Sequence, residues 1–186
     1  MNVHLPTHMS KAAFIDWMDG REGRYELVRG RVVMMPRPAR RHALIVGNLY
    51  LHLRNQLDPE RWQAIIEFGL DAEQDTMRYP DIVVDAIGGK GKDYTAISPV
   101  LLAEVLSPST AEIDLGDKAA EYLQLPSLKA YLVFSQDEPK AWVWLRGEQG
   151  FGAGPQIVAG ADQAIAVKEL ALDLPLSAIY AGLPSN

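Results

Sequence analysis

The run "PVLLAEVLS", Pro99 to Ser107, is apolar almost throughout and carries a single charge, Glu104. A run of this kind fits a strand covered on both faces, which requires a layered sheet. The run "KAYLVFS", Lys129 to Ser135, is also β-rich. Between the two lies "SPSTAEIDLGDKAAEYLQLP". Leu115, Ala119, Tyr122 and Leu123 give this segment one buried helical face, and Ser109 with Glu112 three residues later fits a capping box. Pro126 falls just past its end. Strand, helix and apolar strand in succession imply a crossover between parallel neighbours. The expected class is α/β, a mixed central sheet with helices packed on it.

The remaining segments suit that frame. Ser10–Asp19 is predicted to be a short helix capped by Ser10 and stopped at Gly20. "RYELVRGRVVMMP" is predicted to form two strands around a turn near Gly30. In "ARRHALIVGNLYLHLRNQL", His42, Val46, Leu49 and Leu53 fall on one helical face. "WQAIIEFGLDAE" and "YPDIVVDA" are predicted strands, and "KAWVWLRGEQG" alternates like a half-exposed strand. From Gln156 onward the pattern is weak until "LPLSAIYAGL", a predicted short helix. No repeat or linker is visible, so residues 1–186 are expected to form a single domain with a sizeable core.

Several function classes lose support at this stage. With no cysteine, disulfides and thiolate metal sites are excluded. The N-terminus lacks signal-peptide character and no apolar run is long enough to cross a bilayer, so a cytoplasmic protein is expected. A net charge of −6 argues against a chain built mainly to coat nucleic acid. It leaves room for a local basic patch, and Arg37, Arg40 and Arg41 are clustered in "RPARRH". There is no Gly-rich phosphate loop, HExxH or GxSxG.

Three residues are candidates for chemistry. Asp81 follows Pro80 at the entry to an apolar strand, where a carboxylate can reach a cleft. Glu104 inside an apolar strand is costly unless it is paired, hydrogen-bonded or bound to metal; the alternative is a strand-end glutamate facing solvent. Lys118 sits at the edge of the helix's buried face, where its stem can pack while its amine reaches the sheet end; a surface lysine is the alternative. The same helix start would aim free N–H groups at this region, which favours an anion such as phosphate. Two carboxylates suit Mg²⁺ or Mn²⁺.

The ordered blocks "YELVRGRVV", "RHALIVGNL", "YPDIVV", "LLAEVLSPST" and "DKAAEY" resemble the Uma family of restriction endonucleases. Pro80–Asp81 with Glu104 also resembles the wider PD-(D/E)xK nuclease superfamily. The resemblance implies a restriction-endonuclease-like core and divalent-metal-dependent cleavage of DNA. It implies Asp81, Glu104 and the backbone carbonyl of Val105 as metal ligands. The superfamily lysine two residues after the glutamate is replaced by Leu106, and Lys118 matches the lysine that the Uma pattern carries on the next helix. Glu26 matches a family block and is either a further metal-site acid or an exposed strand residue. His42 is either a core histidine or a site residue that touches phosphate, holds Glu26 or holds the metal's water. Arg40 and Arg41 are the candidate phosphate contacts.

Asp114 and Asp117 are expected on a solvated helix start, and Glu67 and Asp85 on the surface. Trp142 and Trp144 are expected in the core or a dimer surface. The resemblance is compatible with a homodimer, because many restriction-type nucleases cut both strands symmetrically. The competing expectation is a nuclease-fold module without catalysis that binds nucleic acid or a protein. The displaced lysine and the acidic total motivate it.

Overall fold

The computed structural model of the protein describes residues 8–106 and 111–184, with Ala111 and Glu112 described by backbone alone. Its frame is a seven-stranded mixed sheet. β1 (Tyr25–Val28) and β2 (Arg31–Met34) form the expected hairpin and belong to a smaller, separate sheet. Arg29 and Gly30 both take positive φ between them, the tight turn that matches strand twist. α1 (Lys11–Met18) precedes this hairpin, with the Ser10 hydroxyl accepting from the Ala13 N–H. It packs Phe14 against Leu27 and Met77.

α2 (Arg40–Gln56) buries His42, Val46, Leu49 and Leu53 along the stripe predicted for it. The next stretch departs from expectation. "WQAIIEFGLDAE" is two strands, β3 (Trp62–Ile66) and β4 (Leu70–Glu73), which join different sheets. The chain turns at Glu67, whose φ of +49° is left-handed, and passes Gly69, where a Cβ would lie 2.1 Å from the Tyr94 carbonyl oxygen. β5 (Thr76–Arg78) is a further short strand and completes the small antiparallel sheet in the order β2-β1-β5-β4.

The large sheet contains β6 (Ile82–Ala86), β7 (Pro99–Val105), β8 (Ala130–Phe134), β9 (Lys140–Gly147) and β10 (Gly150–Phe151). Its order is β10-β9-β8-β7-β6-β3, with β11 (Gln156–Ala159) also on β9. β7 and β8 are the parallel pair, as the crossover predicted. Every residue of β7 is buried. The crossover helix is broken at Gly116 into α3 (Ala111–Leu115) and α4 (Asp117–Tyr122), where a single helix was expected. The capping box at Ser109 and the helix start that was to attract an anion lie outside the described residues. The C-terminal part forms a hairpin, β12 (Ala164–Val167) and β13 (Leu172–Pro175), followed by the expected short helix α5 (Leu176–Ile179).

Strand alternation divides the core into two layers. Ile82, Val84, Leu101, Ala103 and Val105 face α2, α5 and the C-terminal hairpin. Val83, Leu102, Leu106 and Val133 face the other way, toward Ala119 and Tyr122 of α4. Glu104 has the parity of Leu102 and Leu106, so it points at α4. Among the described residues no helix is long and apolar enough to cross a membrane.

Candidate active site

Antiparallel register brings the two acids together. Ile82 lies opposite Ala103, so the next step outward sets Asp81 opposite Glu104. Asp81 Oδ2 accepts from the Val105 N–H at 2.7 Å, and the Asp81 N–H reaches Glu104 Oε2 at 3.4 Å. Both residues are about 95% buried, at 5% and 4% relative exposure. A solvent-facing Glu104 is therefore not what the fold provides.

Lys118 comes to this pair from α4. Its Nζ donates to Glu104 Oε1 at 2.8 Å and lies 3.0 Å from Asp114 Oδ1 and 3.7 Å from Glu26 Oε1. The side chain is buried, not on the surface. The Tyr122 hydroxyl also donates to Glu104 Oε1, at 3.2 Å. Leu106, two residues after Glu104, packs in the apolar layer beneath α4.

His42 Nε2 is 3.1 Å from Asp81 Oδ1, a contact that places a hydrogen on Nε2 when Asp81 is ionised. His42 thus holds Asp81 and not Glu26. Arg24 stands at the mouth, with one guanidinium nitrogen 3.0 Å from Glu67 and 3.8 Å from Asp81. A cleft of about 200 Å³ is lined by Arg24, Arg37, His42, Asp81, Glu104 and Asp114, with Lys118 and Val105 also on its wall.

Other expectations sort differently. Glu26 is buried, not exposed, and its carboxylate meets Arg78 Nη1 at 2.9 Å and the Tyr79 N–H at 3.2 Å. It lines a neighbouring cavity with Arg78 and Lys118, away from the acids' cleft. Arg40 is exposed beside the rim. Arg41 turns away and donates to the carbonyls of Gln136, Asp137 and Pro184. Asp85 is buried and caps the Ile97 and Ser98 N–H groups, so it is a structural residue and not a surface one. Trp144 stacks on Tyr131 in the core, while Trp142 is partly exposed under the Lys140 ammonium.

Asp114 was missed. It is 2% exposed where a solvated helix start was expected, and Tyr131 donates to its carbonyl. Its spacing four residues before Lys118 is the signal that points to it. Arg24, Arg78 and Glu121 were missed as well. Glu121 follows Lys118 by three residues, a spacing that shares a helical face, whereas a charge in a three-residue strand leaves no periodicity to read.

The electrostatics are those of crowded acids. Burial raises the Glu104 carboxyl to about 8 against the pull of Lys118, with Asp81 and Asp114 adding to the rise. Burial opposes the Lys118 charge, yet Glu104, Glu26 and Asp114 outweigh it, and its pKa is raised. The lysine therefore stays an ammonium. Asp114 Oδ1 is buried without a hydrogen-bond partner among the described residues, so its approach to Lys118 is charge to charge.

This donor set fits a hard divalent cation. It offers two facing carboxylates, Asp81 and Glu104, with a third buried acid, Asp114, on the same cleft wall. Among the described residues no three acid or histidine side chains already form a ligating cluster. Mg²⁺ does not require one, because it is commonly held by one or two carboxylates and keeps several waters.

A family model described as Uma2, "Putative restriction endonuclease", matches residues 12–177. Two uncharacterized proteins from Synechocystis are similar. One is 28% identical over 116 residues, 60% of this chain and 66% of that protein. The other is 25% identical over 195 residues, 98% of this chain and 99% of that protein. The crystal structure of a "putative nuclease belonging to DUF820" from Anabaena variabilis superposes with a TM-score of 0.75 at 18% identity, covering 93% of this chain and 98% of that one. This last likeness shows a shared fold.

Proposed function

The chain belongs to the Uma2 family of putative restriction endonucleases, and from that premise we propose that it hydrolyses phosphodiester bonds of DNA with a divalent cation. The observation that carries this reading is the convergence of Asp81, Glu104 and Lys118 in one cleft, with Lys118 Nζ 2.8 Å from Glu104.

Asp81 and Glu104, with the Val105 carbonyl, would hold Mg²⁺ or Mn²⁺. The bound ion would supply Lewis-acid polarisation of a phosphoryl oxygen and a lowered pKa for an attacking water. The protein's own groups do the rest. Val105 N–H and His42 hold the two oxygens of Asp81 and keep that carboxylate from rotating. The Tyr122 hydroxyl and Lys118 both hold Glu104 Oε1, which leaves Oε2 turned toward Asp81. Lys118 stays protonated and donates to a water lined up for in-line attack. It also offsets charge that develops on the phosphate. Arg24, half-exposed beside Asp81, and Arg37 on the rim meet the phosphates of the strand.

Calorimetric titration with Mn²⁺ tests the ligand assignment alongside cleavage of a DNA duplex. Wild type is expected to bind the ion and cut the duplex, and Asp81→Asn and Glu104→Gln are expected to lose both. Binding and cleavage unchanged in both variants would overturn the assignment.

A further inference from the structure

Lys118 approaches Glu104 from a helix, so its place depends on how that helix is seated. α4 has only six residues, follows the break at Gly116 and has no side-chain cap. A helix so short has little stability of its own. Its buried polar face carries Lys118 and, three residues on, Glu121. Both charges need partners.

Arg78 partners Glu121 directly, and the Glu26 carboxylate that it also holds faces Lys118. Its Nε donates to Glu121 Oε2 at 2.8 Å and its Nη2 to Glu121 Oε1 at 2.7 Å, a bidentate pair. The third arm, Nη1, donates to Glu26 Oε2 at 2.9 Å. The other oxygen of Glu26 faces Lys118 Nζ at 3.7 Å. Arg78, Glu26, Glu121 and Lys118 are all buried. One guanidinium therefore ties α4 to β1 through two carboxylates, and one of those carboxylates touches the lysine.

We propose that Arg78 is a positioning residue for Lys118: by gripping Glu121 on α4 and Glu26 on β1, it lets the ammonium reach Glu104 from a helix, leaving the strand position to Leu106. Glu26 belongs to this clamp and not to the acids of the cleft, in keeping with its place on the wall of the neighbouring cavity. Stability alone is a weak reason for such a cluster, since buried ion pairs replaced by apolar groups often cost nothing. Geometry is a better one, because a guanidinium fork fixes direction where an ammonium does not. What Lys118 does once placed rests on the nuclease reading; what places it does not.

The test uses Arg78→Lys, which keeps the charge and removes the fork, and Glu121→Gln as an independent variant. Each is made in the full chain with and without Lys118→Ala. Supercoiled plasmid nicking in Mn²⁺ gives kcat and KM. Modification by an amine reagent, read by mass spectrometry, gives the accessibility of Lys118. The expected result is a kcat lowered about 10- to 100-fold, the scale of a misplacement near 1 Å, with KM within about twofold. In the Lys118→Ala background the clamp variants lower kcat no further, because their effect runs through the lysine. Lys118 is protected in wild type and modified in both variants. An unchanged kcat in both, an equal fall in the Lys118→Ala background, or a Lys118 still protected in both would overturn the proposal. If wild type does not cut but Lys118 loses protection with Arg78→Lys, the positioning stands and the nuclease reading falls. If wild type cuts and both clamp variants cut equally well, the reverse holds.

Discussion

At the residue scale the site is a problem of charge. Three buried acids, Glu104, Asp114 and Glu26, face one ammonium, and Glu104 is pushed up by burial, with Asp81 and Asp114 adding to the rise. Glu104→Gln should lower cleavage roughly 10²–10³-fold, the effect of deleting one preorganised electrostatic group, while circular dichroism stays native. Lys118→Ala should do more harm to the fold. It leaves Glu104, Asp114 and Glu26 without their shared counter-charge, a change expected to cost about 3–5 kcal/mol. Urea unfolding measures it, and a midpoint equal to wild type would contradict the ion-pair description. Asp81 and Glu104 were legible in the sequence because each is a charge set against an apolar run. Asp114 was not, since an acid near a helix start has an ordinary explanation. Only the break at Gly116 and the packing of α3 turn it inward. Arg78 was illegible, because a charge in a three-residue strand leaves no periodicity, and Glu121, though it shares a helical face with Lys118, looks like a surface charge until Arg78 is seen opposite it.

At the element scale, alternation along β7 does most of the work. It aims Glu104 at α4 together with Leu102 and Leu106, and the crossover from β7 to β8 carries Lys118 back over the same face. Those features could be read from hydrophobic pattern. The division of residues 62–73 between two sheets could not, because it depends on a left-handed Glu67 and on the close approach of Gly69 to Tyr94. α5 was legible, but the hairpin before it was obscure, because β12 and β13 pair with each other while their buried residues rest on the distant core and Gln56 of α2. Tyr180, just past α5, donates to the carbonyls of Ser135 and Lys140 at 2.6 and 3.0 Å and so fastens α5 beside the turn into β9. Burial raises its pKa from 10.0 to about 12. The folded state therefore holds this proton more tightly than the unfolded chain. The resulting stabilisation is complete below about pH 10 and is lost as pH rises through about 12. Denaturant melts across that window should show stability falling with pH in wild type and falling less steeply in Tyr180→Phe. Equal slopes would remove Tyr180 from the account.

At the scale of the whole molecule, the nuclease reading requires an acidic chain with a net charge of −6 to attract a polyanion through a local patch. The cleft rim supplies one in Arg24 and Arg37, with Arg40 exposed nearby. Binding of a DNA duplex to the Glu104→Gln protein should weaken linearly on a log–log plot against salt, as counterions are released. Arg37→Ala and Arg40→Ala should each reduce that slope by about one. A salt-independent affinity would point instead to a protein partner. The central claim is that Asp81, Glu104 and Lys118 act together in metal-dependent hydrolysis of DNA. The most direct measurement is the nicking of supercoiled plasmid by wild type in Mg²⁺ or Mn²⁺, with EDTA added and then overcome by excess metal, beside Asp81→Ala. The account predicts nicking that stops with EDTA, returns with metal and is absent in Asp81→Ala. Nicking that survives EDTA or the loss of Asp81, or a wild type that neither cuts nor binds metal, would contradict it.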